Sequence, residues 1–272
     1  MNQELNLAND LIDFIHTSPS PFHVVKTVEG MLSENGFQRL EFTERWNLSK
    51  GQKYYLTKNG SALIAFAIGT GDIEENGFRL VAAHTDSPSF RIKPSPEMVV
   101  EGTYLKLNTE VYGSPILNTW LDRPLSAAGR VSLTSDDVFQ PETRLVRLDG
   151  PVLVIPNQSL HMNRKVNEGL ELNKQKDMLP LAACVNESFE KDGFLARLLA
   201  KELGIDAERL VDFDLFLHEY AKGTLVGLNQ EFISSTRLDD LAMVHAGLHA
   251  LLGVPPAQTT NVLVCYDNEE VG

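Results

Sequence analysis

Histidine and carboxylate side chains in three short segments of this 272-residue sequence could bind a metal. In the first segment His84 and Asp86 are two positions apart, so on extended backbone both side chains project to the same side. A neutral histidine can bind zinc through one ring nitrogen while the other donates to a carboxylate, which fixes the tautomer. Taken alone, the pair is more typical of a surface histidine beside a helix-capping aspartate.

The other two segments are acidic. Asp239 and Asp240 stand at the start of a predicted helix, where carboxylates often stabilise free backbone N–H groups; the functional alternative is a carboxylate that bridges two metals. Glu269 and Glu270 follow an apolar strand and can serve one site only if the backbone bends where that strand ends. One carboxylate would then bind metal while the other takes a proton from water. An ordinary acidic turn is the alternative.

The remaining histidines are weaker candidates. His161 lies in a predicted loop, where a lone histidine is usually solvated. His245 and His249 are four apart on a predicted helix and could face a metal together. Because no glutamate stands at the position typical of zincin proteases, we interpret them as surface or packing residues. The sequence contains neither a serine-hydrolase elbow nor a nucleotide-binding glycine loop.

Composition restricts the class of protein. The net charge of −13, without a basic cluster, argues against a nucleic-acid partner. Two cysteines are too few for a disulfide scaffold or a thiolate zinc site. The start of the sequence has no secretory pattern, and apolar stretches such as 62–68 are too short to span a membrane. We therefore expect a soluble, cytoplasmic protein without membrane association.

The elements that must position these residues follow from periodicity and turn chemistry. Apolar spacing predicts two amphipathic helices near the N-terminus, and Asn59-Gly60 predicts the turn of a β-hairpin over 54–68. Further elements are predicted as follows: a strand over 78–83, a short strand over 152–155, a helix over 187–203, a helix over 238–252 and a strand over 262–266.

Short strands separated by Pro, Gly and Asn occupy the middle of the sequence. We therefore predict an α/β fold: a mixed-sheet α/β domain, formed by residues 1–91 and 228–272, interrupted by a β-rich domain over 92–227.

Together these segments resemble the aspartyl aminopeptidase family of two-zinc metalloaminopeptidases. The resemblance is carried by three motifs, in the family's order and at roughly its separation: Ala82–Pro88, Ser235–Leu241 and Asp267–Gly272. Residues 18–23, residues 121–125 and the surroundings of His161 are also similar. The resemblance covers essentially the whole chain and implies a zinc-peptidase domain with an inserted dimerisation or lid domain.

The resemblance also implies a role for each matching residue. His84 would be a zinc ligand, Asp86 its orienting carboxylate and Asp239 the carboxylate that bridges two Zn²⁺ ions. Glu269 would be the general base and Glu270 a ligand to the second zinc. Members of this clan often have a non-proline cis peptide bond after the bridging aspartate, which here corresponds to Asp239–Asp240.

In this family the inserted domain forms dimers that assemble into dodecamers, and one of its histidines reaches a neighbouring subunit's active site. His161 matches that histidine. The implied function is removal of an N-terminal residue, acidic according to the family's name, from peptides by a zinc-activated water. Family members continue past the motif at Gly272 and supply further Asp and His ligands there, so we expect a chain ending at this residue to be inactive alone.

Two other functions fit the same residues. A related zinc deacylase or carboxypeptidase would use similar metal chemistry, and peptides with free and acetylated N-termini distinguish it from an aminopeptidase. A non-catalytic assembly subunit need bind no zinc, so zinc stoichiometry distinguishes that alternative.

Overall fold

The structure of the chain is a computed structural model that describes residues 3–137, 139, 141–169, 171–186 and 189–272. The chain divides into two compact units, Met1–Ser87 with Lys222–Gly272, and Pro88–Ala221. The boundaries predicted from the sequence lie at 91/92 and 227/228.

The helices and strands are named in chain order. The first unit begins with α1 (Gln3–Thr17), α2 (Pro21–Glu34), β1 (Gln38–Arg39), β2 (Lys53–Lys58), β3 (Ala62–Ala67), α3 (Ile73–Asn76) and β4 (Phe78–His84). The second unit contains β5 (Ser89–Val100), β6 (Tyr104–Tyr112), β7 (Leu125–Leu133), β8 (Glu142–Arg147), β9 (Leu181–Cys184), α4 (Phe194–Leu203) and β10 (Leu210–Glu219). The first unit then resumes with β11 (Thr224–Val226), β12 (Phe232–Ser234), α5 (Leu238–Gly253) and β13 (Thr260–Tyr266).

A five-stranded mixed sheet is the centre of the first unit. Its strand order is β1-β2-β3-β13-β4. Strand β13 pairs antiparallel with β3 and parallel with β4, so the carboxyl ends of β4 and β13 lie at the same edge of the sheet. The register places Tyr266 opposite His84, and the segments that follow these two residues therefore start side by side.

Amphipathic helices close the core of this unit. In α2, Val24, Val28 and Leu32 recur every four residues and are all buried. They belong to one apolar cluster with Val244 and Leu248 of α5 and with residues of β3 and β13. This packing fixes α5 against the sheet, and with it the residues at the start of α5.

The second unit is built around an antiparallel sheet with strand order β8-β7-β10-β5-β6-β9. Buried residues of β7 and β10 and helix α4 contribute to its separate apolar core. The described part of the chain contains no helix with the length and apolar character required to cross a bilayer.

The predicted α/β class with a mixed sheet is confirmed. The hairpin is formed by β2 and β3, and Asn59 and Gly60 both have positive φ, as a type I′ turn requires. The strand predicted over 152–155 is wrong: this segment makes only isolated bridges, because its partners come from three separate places. The helix predicted over 187–203 begins at Phe194, preceded by Gly193 in the left-handed region; residues 187 and 188 lie outside the described residues.

Candidate metal centre

The first site residue, His84, is the last residue of strand β4, and Nδ1 of its imidazole faces Asp86. Nδ1 lies 3.1 Å from the backbone carbonyl oxygen of Asp86 and 3.3 Å from the Asp86 carboxylate. A proton on Nδ1 fits these two acceptors and leaves the lone pair of Nε2 free for a metal. The side chain of His84 is 12% exposed, so most of the imidazole is shielded from solvent.

Asp86 links the ends of the two parallel strands. Its side chain is fully buried, and its carboxylate accepts hydrogen bonds from the backbone N–H groups of Glu269 (3.3 Å) and Glu270 (3.1 Å). These bonds fix the bend that follows β13, the bend that the sequence required if both glutamates were to serve one site. Asp86 therefore positions His84 and the two glutamates together.

The start of α5 brings two more carboxylates to the same imidazole. Nε2 of His84 lies 3.3 Å from Asp239 and 3.7 Å from Asp240. The Asp240 carboxylate also accepts a hydrogen bond of 3.0 Å from the backbone N–H of His84, and Ser87 donates to the carbonyl oxygen of Asp239. Asp239 and Asp240 have non-helical backbone angles, and the peptide bond between them is cis, as the resemblance implied.

Asp240 was not among the sequence-predicted ligands. The resemblance assigned a ligand role to Asp239 alone, and on a regular helix adjacent side chains point about 100° apart. The non-helical backbone at Asp239 and Asp240 lets both face His84. The pair of adjacent acids was the signal that could have found it.

Glu269 and Glu270 complete the cluster. The Glu269 carboxylate lies 3.7 Å from Nε2 of His84. Two groups of potential ligand atoms, each within 4.8 Å of one another, share His84: one adds Asp239 and Asp240, and the other adds Glu269 and Glu270.

The carboxylates change the proton affinities at this site. Burial lowers the pKa of His84, but the charges of Asp240, Asp86 and Glu269 outweigh burial, so its pKa is raised. Burial, reinforced by neighbouring carboxylates, raises the pKa of Asp240 and of Glu270. A divalent cation would stabilise this concentration of negative charge around one imidazole. The nitrogen and oxygen donors present are those that zinc takes. The residues therefore fit zinc.

His161 is in a different place. It lies in an exposed turn of the second unit, where the backbone N–H groups of Met162 and Asn163 both donate to the carbonyl oxygen of Ser159. The five other predicted site residues, all in the first unit, come together, whereas the role that the resemblance implies for His161 would require a second subunit.

The family model for "Aminopeptidase I zinc metalloprotease (M18)" matches residues 14–272. The chain belongs to peptidase family M18. The resemblance noted in the sequence is thereby confirmed at the level of this family, and zinc is the metal that the family description names.

Known relatives of this M18 chain agree with its fold. It is 53% identical over 272 residues to "Probable M18 family aminopeptidase 2" of Clostridium novyi and covers 63% of that protein's length. It superimposes on a chain in the cryo-EM structure of the Ape4 and Nbr1 complex with a TM-score of 0.92 and 34% identity, covering 98% of this chain and 55% of the other. For the S. cerevesiae mApe1 dodecamer the TM-score is 0.82 and the identity 26%, covering 99% of this chain and 62% of that chain.

Proposed function

We propose that the protein containing this sequence is a metalloaminopeptidase that hydrolyses the N-terminal residue from peptides. The observation that carries the proposal is the gathering of five carboxylates around the imidazole of His84, in a chain that belongs to a zinc peptidase family. An ordinary acidic turn does not require a buried carboxylate such as Asp86 to hold its backbone in place.

His84, Asp239 and Glu270 would hold two zinc ions, with Asp239 in the bridging role that the resemblance implies, and Asp240, which is grouped with His84 and Asp239, would offer a further oxygen. When bound, zinc supplies a Lewis acid that polarises the scissile carbonyl and lowers the pKa of water. Asp86 keeps the His84 tautomer and the strand-end bend in the arrangement that ligation needs.

Glu269 is the general base of this proposal. Its backbone is fixed by Asp86, while its side chain is 60% exposed and so can meet a substrate. The carboxylate would accept a proton from the attacking water and pass it to the leaving amine, whose nitrogen must be protonated to depart.

The test is Glu269→Gln in the intact protein, because the amide has the same size but cannot accept the proton. We expect kcat to fall by about 10²- to 10⁴-fold while bound zinc, measured by elemental analysis, is unchanged. Glu75→Gln makes the same change in the exposed helix α3 and should leave kcat unaltered. A Glu269→Gln protein with ordinary turnover would remove Glu269 as the base.

An acidic N-terminal residue is the substrate class that the resemblance implies. Comparing kcat/KM for peptides beginning with Asp, Glu and Leu tests this preference. Hydrolysis of N-acetylated peptides in place of free ones would replace the aminopeptidase proposal with a deacylase.

We also propose a homo-oligomer in which His161 acts on a neighbouring subunit, consistent with the dodecamer formed by mApe1. His161→Phe should lower kcat by about 10²- to 10³-fold if the imidazole stabilises the developing oxyanion. Co-expression of His161→Phe subunits with Glu269→Gln subunits should restore part of the activity, because some sites then combine an intact Glu269 with an intact His161. No restoration would place His161 outside a shared site.

A cytoplasmic location is part of the same proposal. Cys184 and Cys265 are both free thiols, which persist in a reducing compartment. Cell fractionation tests this directly.

A further inference from the structure

A second group of potential metal ligands lies on two helices of the first unit. His245 and His249 are one turn apart on α5 and therefore share a face of that helix. Asp10 on α1 faces the same two imidazoles. None of these three residues belongs to the candidate metal centre.

The spacing of the three side chains suits a small cation. Nε2 of His245 and Nε2 of His249 each lie 2.9 Å from the same carboxylate oxygen of Asp10, and the three potential ligand atoms are within 4.8 Å of one another. Ligands bound at about 2.0–2.1 Å to a tetrahedral zinc are separated by about 3.3 Å. The observed nitrogen–oxygen separations are therefore only slightly shorter than those in a zinc site.

Without a cation, one imidazole nitrogen of this cluster has no hydrogen-bond partner among the described residues. His245 is buried, packs against the ring of Phe14 and hydrogen-bonds to Asp10. Nε2 of His249 is shielded from solvent, and within the described part of the chain it has no hydrogen-bond partner; its approach to Asp10 does not have hydrogen-bonding geometry. A shielded polar nitrogen without a partner is costly, and a cation shared with Asp10 and His245 would satisfy it.

The surroundings allow a cation to enter. Burial lowers the pKa of His245, which favours the neutral imidazole that binds metals. The side chains of Asp10 and His249 are 51% and 38% exposed, so the cluster lies at the surface of the first unit.

We propose that Asp10, His245 and His249 bind a divalent transition-metal cation such as zinc, which would cross-link α1 and α5. Two imidazole nitrogens with one carboxylate favour zinc, cobalt, nickel or copper over calcium and magnesium, which prefer oxygen ligands. The site goes beyond the proposed peptidase function: it shares no ligand with the candidate metal centre, and it links the N-terminal helix to the helix whose start carries Asp239 and Asp240.

The test measures bound zinc per chain after dialysis against micromolar zinc, in a background that carries His84→Ala and Glu270→Ala. We expect this background to retain one zinc ion, and the further substitution His249→Ala to remove it. Asp13→Asn, one turn away on α1 and outside the cluster, is the matched control and should retain the ion.

Thermal unfolding gives a second readout. Zinc should raise the Tm of the background variant, whereas magnesium should not, and His249→Ala should abolish the zinc effect. If the background fails to fold, the single variants His249→Ala and Asp10→Ala should each lose one zinc ion relative to the unsubstituted chain. Zinc content and Tm that do not respond to either substitution would overturn the proposal, whatever the peptidase assays show.

Discussion

Two groups of ionisable side chains in the first unit have opposite composition. The candidate metal centre surrounds the single imidazole of His84 with carboxylates, whereas the helix cluster of Asp10, His245 and His249 places two imidazoles around a single carboxylate. The pKa of His84 is raised because carboxylate charges outweigh burial, and the pKa of His245 is lowered because burial dominates. The same type of side chain thus acquires opposite shifts in proton affinity within one unit, according to its neighbours.

The backbones that carry the two groups also differ. Ligands of the metal centre come from strand ends, a bend and a non-helical stretch at the start of α5, so their geometry has no repeat. The helix cluster uses a regular one-turn spacing on α5. Irregular backbone can aim several carboxylates at one point, whereas one face of a helix supplies few ligands.

The largest expected difference between the two groups concerns their aspartates. Asp86→Ala removes a buried acceptor from two backbone N–H groups, so we expect a loss of about 1–3 kcal/mol in the free energy of unfolding. Because Asp86 also orients His84, zinc affinity at the centre should fall by about 10- to 100-fold. Urea unfolding and zinc titration measure these effects.

Asp10→Ala is the matched change in the helix cluster. Asp10 is half-exposed, so water can replace its lost contacts and we expect a clearly smaller change in the free energy of unfolding of the metal-free chain. Equal losses for the two variants would contradict the distinction between a buried positioning carboxylate and an exposed ligand.

A smaller expected effect is the opposite titration of two histidines in metal-free protein. In an NMR titration the ring of His84 should titrate above 6.5 and the ring of His245 below 6.5. The stabilisation linked to His84 is then present below pH 6.5 and lost as pH rises through its folded pKa. The stabilisation linked to His245 is present above pH 6.5 and lost as pH falls through its folded pKa.

His245→Gln is the control for the acid side of that profile. It should flatten the fall in the free energy of unfolding below pH 6.5. The loss of free energy of unfolding above pH 6.5, which is linked to His84, should be unchanged. If both rings titrate with the same pKa, their different neighbours do not shift the two pKa values in opposite directions.

Much of the local structure could be predicted because it depends on neighbouring residues. Asn59-Gly60 determined a type I′ turn, and apolar spacing determined α1, α2 and the strands β4 and β13. Asp240 was not predicted as a ligand because the resemblance assigned that role to Asp239 alone, and the non-helical backbone that lets both side chains face His84 is visible only in the structure. The helix cluster was discounted because no glutamate stands at the zincin position on α5, and its third member, Asp10, lies 235 residues from His245.

The chemical groups present, the elements that carry most of them and the resemblance of their motifs to a zinc peptidase family could all be inferred from the amino-acid order. Three features required the folded chain: the pairing of β4 with β13, the hydrogen bonds by which Asp86 holds the bend before Glu270, and the hydrogen bond that Asp240 accepts from a residue 156 positions away. The physical reason is that strand pairing and core packing join segments far apart in the chain, whereas periodicity and turn chemistry report only on residues a few positions apart.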